Sequence, residues 1–91
     1  MRTTSKITTL LATYLFVSQA PVPADPARTH ELIHATAERL GPDGAAKAVA
    51  EAAYEYGRHP ETAPTRMRAC LHAVESALHT FIPAPRSAVT R

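Results

Sequence analysis

The chain has no tryptophan, one cysteine, three glycines and only five aromatic residues in 91 positions. With aromatics confined to Tyr14, Phe16, Tyr54, Tyr56 and Phe81, base-stacking platforms and aromatic sugar-binding slots are poorly supplied. A lone Cys70 makes neither an internal disulfide nor a cysteine-based zinc knuckle, and it fits a reducing compartment. Gly41, Gly44 and Gly57 all fall where helices should start or stop, so no glycine-rich phosphate loop remains. Ten Lys and Arg against eight Asp and Glu leave a net charge of +2, far from the concentrated positive field of a nucleic-acid binder. Period-2 runs, hairpin turn signals and internal repeats are missing, and no apolar run is long enough to span a bilayer.

What is present reads as one all-α domain, a small four-helix bundle with helices at about 5–18, 26–40, 44–56 and 64–82. A chain of 91 residues holds one core and excludes a two-lobed enzyme with a cleft between domains. The domain should cover 1–82, with 83–91 as a loose C-terminal tail.

The first twenty residues admit two readings. Arg2 and Lys6, an apolar stretch from Ile7 to Val17 and the small residues at Ser18 and Ala20 resemble an export signal. Against it, Thr8, Thr9 and Thr13 interrupt the apolar stretch, and Pro21 would follow the cut directly. Periodicity favours a retained helix: Ile7, Leu10, Leu11, Tyr14, Leu15 and Val17 share an arc of about 160°, as a helix packed on a protein requires. Phe16 falls off that arc and is expected to point outward, as a membrane face or a docking contact. The expected location is therefore the cytoplasm, with secretion through a signal peptide at 1–20 as the alternative.

Asp25 and Pro26 should cap and open the second helix, which stops at Gly41-Pro42 and has Ile33, Ala37 and Leu40 on its apolar face. Asp43 should cap a third helix ended by Gly57, with Ala45, Ala46, Val49, Ala52, Ala53 and Tyr56 buried and Lys47, Glu51 and Glu55 opposite. The fourth helix has the strongest amphipathic pattern: Met67, Cys70, Leu71, Val74, Ala77, Leu78, Phe81 and Ile82 at three-and-four spacing. Cys70 in that stripe should behave as a small hydrophobe with a raised pKa, not as a nucleophile.

His30-Glu31-Leu32-Ile33-His34 carries the sharpest local chemistry. On a helix the two histidines lie one turn apart and suit one zinc ion, with Glu31 placed to activate a metal-bound water. In those five residues the chain resembles the zincin metalloprotease signature, which implies zinc as cofactor, His30 and His34 as ligands and Glu31 as catalytic base. Arg28 and Thr36 depart from the usual flanking residues, and the third ligand would have to come from His72, Glu75 or His79. Composition alone yields about 0.02 accidental matches to this pattern.

Two further clusters suit a partner. Arg58, His59, Arg66 and Arg68 gather around the third connection and suit a phosphate or an acidic partner, or only solubility and capping. His72, Glu75 and His79 share a polar face with Arg68, which reads as solvated surface or as a pH-responsive docking stripe. Helices two and three also invite a helix-turn-helix reading, but Glu51 and Glu55 on the third would repel phosphate, so nucleic acid is an unlikely partner. The expectation is a small interaction or regulatory module without catalytic activity, bearing Phe16, Arg58, Arg66, Arg68, His72 and His79 toward another protein or a second copy. A zinc-binding protein is the first alternative and a DNA binder the second.

Overall fold

Asp25 begins the element whose boundaries are most fully accounted for. Its backbone is extended (φ −88°, ψ 120°), its carboxylate accepts the Ala27 N–H at 3.1 Å, and Pro26 follows at the first helical position. At the other end Gly41 adopts φ 78° and donates its N–H to Ala37 O at 3.0 Å, closing the last turn. The computed structural model describes residues 6–81, and these form four helices and no strand: α1 Lys6–Val17, α2 Pro26–Leu40, α3 Gly44–Arg58 and α4 Ala63–Phe81. The all-α four-helix architecture is as expected. Residues 1–5, Ile82 and the expected tail 83–91 lie outside the described residues.

Two boundaries differ from expectation. Asp43 makes no side-chain capping bond; the turn is held by backbone, Gly44 N–H donating to Gly41 O at 2.9 Å. Gly57 does not end α3, which continues to Arg58 and is closed by the His59 N–H on Glu55 O at 2.8 Å.

Helix α1 is the hub. It packs most extensively on α4 and also contacts α2 and α3. Leu15, Phe16 and Val17 are fully buried, and Thr8, Ala12 and Thr13 are buried with them. Burial of each large side chain is worth about 1.5–3 kcal/mol. The expected stripe is therefore corrected: Phe16 points inward, whereas Ile7 is 62% exposed. A one-sided stripe suits a helix lying on a surface, but a helix enclosed by three others buries most of its circumference. The threonines enter this interior because Thr13 Oγ1 donates to Thr9 O at 2.8 Å, as Thr36 Oγ1 does to Leu32 O in α2.

Helix α3 is rotated relative to expectation. Gly44, Ala48 and Ala52 are its buried row; Ala45, Ala46, Val49, Ala53 and Tyr56, all expected inside, are exposed. The smallest residues face α1 and permit close approach. A Cβ placed on Gly44 would stand 3.0 Å from the Tyr14 hydroxyl. Glu51 and Glu55, expected on the solvent side, are half-buried beside the bundle because neighbouring elements supply partners. Arg39 of α2 reaches Glu51 at 3.3 Å and also donates to Val17 O at 3.4 Å, tying three helices together. Gln19 donates to Glu55 at 3.4 Å.

Candidate functional site

The histidine pair stands on the outer side of α2. Both His30 and His34 are exposed, with ring centroids 6.4 Å apart. His34 lies 4.0 Å from Glu38, and Glu31 is held by Arg28 at 3.1 Å. Among the described residues no three His, Cys, Asp or Glu side chains come together to hold a metal ion. The zincin-like reading thus lacks its third ligand: His72, Glu75 and His79 are exposed on α4, and none of them completes a set with His30 and His34. The turn-to-turn spacing sets two imidazoles side by side, but the approach of a second helix with a suitable residue is a tertiary matter that five residues do not encode.

Of the basic cluster, His59 and Arg66 border one groove with Glu55, whereas Arg58 and Arg68 have contacts on their own helices. Arg66 lays its guanidinium 4.7 Å from the Phe16 ring centroid, and Arg58 stacks 5.6 Å from the Tyr54 ring. Arg68 donates to Thr65 Oγ1 at 3.3 Å, one turn away on its own helix. Phe16, expected as an outward docking residue, is instead covered by Arg66 on one side and by Tyr56, 5.8 Å between centroids, on another. His72 borders a groove of about 460 Å³ with Pro23 and Thr29, and His79 is exposed near the end of α4. Cys70 is fully buried, and desolvation pushes its thiol pKa up, with the Arg66 charge opposing in part. That is the expected inert thiol.

Two features emerge that sequence reasoning missed. One is the outer face of α3. On a helical repeat, Ala46, Ala50, Ala53 and Gly57 face away from the buried row of Gly44, Ala48 and Ala52, and all four are exposed. Val49 and Tyr54 flank them at 58% and 63% exposure. The helix's charges are drawn to its inner side and flanks: Glu51 to Arg39, Lys47 Nζ to Leu40 O at 3.1 Å, and Arg58 onto Tyr54. The result is an inverted amphipathic helix, apolar toward solvent. The alternation of Lys47, Glu51 and Glu55 was the available signal, once their partners on α2 and the first connection are known.

The other is a groove of about 390 Å³ between α1, α2 and α4, walled by Leu11, Ile33, Ala37, Val74, Ala77 and Leu78. His30, His34 and Tyr14 also border it.

No protein family, no curated protein and no solved structure matches the chain. Among the described residues no helix is long and apolar enough to cross a membrane.

Proposed function

We propose that this chain is a small protein-interaction module, without catalytic chemistry, whose contact face is the outer side of α3 and whose partner is the same face of a second copy. The observation that carries the reading is the outward row Ala46, Ala50, Ala53 and Gly57, exposed and uncharged between Val49 and Tyr54. Scattered exposed apolar residues need no explanation, but a continuous row along one helix does. Small residues let two helix axes approach to about 8 Å, and Val49 supplies a side chain large enough to fill the gap opposite the alanines. A two-fold contact pairs a surface with itself, so an uncharged row requires no complementary set of charges. Helices α1 and α4 pack most extensively on each other, whereas Val49 and Tyr54 of α3 stand exposed beside its outward row.

The helix-turn-helix alternative gains no support from this face, because its outward row has no Arg, Lys, Asn or Gln to meet phosphates or base edges.

Sedimentation velocity over a range of protein concentrations tests the proposal. The expected species has twice the 9.8 kDa chain mass, and Ala53→Glu returns it to a single copy with unchanged helical circular dichroism. A wild-type chain that stays single at every concentration overturns it.

A further inference from the structure

Beyond the α3 contact, we infer that the groove between α1, α2 and α4 binds a small, uncharged, mainly apolar molecule carrying one hydrogen-bonding group. Three observations carry this. The first is the wall: Leu11, Ile33 and Leu78 are only half-buried, and all three turn toward one opening whose floor includes the buried Val74 and Ala77. Three large aliphatic side chains left partly wet around one concavity give a ligand apolar surface to cover at about 25 cal/mol per Å².

The second is size. A volume of about 390 Å³ equals that of a sphere about 9 Å across. It falls within the ~300–1,000 Å³ of small-molecule sites, which in bundles form between helices. A ten-carbon chain or a pair of fused rings fits within it.

The third is polarity. Among the described residues no Asp, Glu, Lys or Arg lines the groove, so a charged head group entering it would lose hydration without a counter-ion from them. The polar groups at the border are His30, His34 and Tyr14. Glu38, 4.0 Å from His34, further disfavours an anion at that border. An alcohol or a carbonyl placed against the His34 imidazole satisfies this arrangement. The histidine pair of the zincin-like segment thereby acquires a role in recognition that needs no metal.

Nile red and 1-decanol serve as probes with the full chain. Nile red fluorescence should rise and shift to the blue on binding, and 1-decanol should displace it. Ala37→Phe, which fills the groove from a half-exposed position, should weaken both probes at least tenfold while leaving the circular dichroism unchanged. His34→Ala should weaken 1-decanol about 2- to 10-fold, the range of one hydrogen bond, and leave Nile red less affected. Decanoate should compete more weakly than 1-decanol. Ala53→Glu on α3 should change none of these, which separates this site from the self-contact. Absence of Nile red binding, binding unaltered by Ala37→Phe, or preference for decanoate overturns the inference. Binding that falls as protein concentration rises also overturns it, because a second copy would then occupy the groove.

Discussion

The Arg66 guanidinium lies 4.7 Å from the centroid of the Phe16 ring, and that contact joins the start of α4 to the end of α1. Phe16 is fully buried, yet part of its cover is a charged side chain whose stem and planar head shield the ring while remaining half-exposed. Arg66→Ala is therefore expected to lower stability by about 1 kcal/mol, and Phe16→Ala by about 3–5 kcal/mol. Urea unfolding followed by circular dichroism measures both. Equal, small effects would show that Phe16 is not core.

The two glycines of α3 should respond in opposite directions. At Gly44 a Cβ meets the Tyr14 hydroxyl at 3.0 Å and Leu40 Cβ at 3.5 Å, so Gly44→Val presses its methyls on these side chains and should cost about 1–3 kcal/mol. At Gly57 nothing lies within 4 Å, and the residue is helical. Gly57→Ala should stabilise by about 0.5 kcal/mol through the lower entropy of the unfolded chain. Thermal melts of the two variants give the comparison directly, and a stabilising Gly44→Val would refute the close approach of α1 and α3.

The contrast between those glycines also marks what the sequence made legible. Helix ends with a chemical signal were readable: Asp25-Pro26 opens α2 and Gly41 closes it, because a carboxylate cap, a fixed φ and a left-handed turn are local properties. The inward face of α3 was not readable, because it depends on which neighbour comes near. The apolar set Ala45, Ala46, Val49 and Ala53 points away from the bundle, while Glu51 turns in because Arg39, twelve residues earlier, meets it there. Phe16 was misplaced for the same reason, since its cover comes from Tyr56 and Arg66 on other helices. Of the site, the His30–His34 pairing was legible as spacing, but the groove beside it is made by three helices and leaves no local mark.

The Cys70 thiol carries a pH prediction. Its pKa is raised in the fold by burial, so the unfolded chain loses this proton first as pH rises. The sign follows: the contribution is flat below the unfolded thiol pKa of about 8.5 and becomes destabilising above it. Stability measured from neutral to alkaline pH should fall more steeply for the wild type than for Cys70→Ala. Iodoacetamide should label the native protein far more slowly than the urea-unfolded one. Rapid native labelling would contradict the burial.

Zinc should leave this protein unchanged. Glu31 is engaged by Arg28, and no third ligand joins His30 and His34 among the described residues. Protein prepared without a metal-affinity step should contain less than about 0.1 equivalent of zinc, and chelator should leave its melting temperature where it was. Stoichiometric zinc lost together with several degrees of stability would restore the metal reading.

Dilution of uniformly ¹⁵N-labelled protein, followed by backbone amide shifts, tests the inverted face of α3 most directly. The expected result is concentration-dependent change concentrated at Ala46, Val49, Ala50, Ala53 and Gly57, with the amides of α1 and of the α4 core unmoved. Spectra that do not change with concentration, or changes centred on α1 and α4, would contradict it.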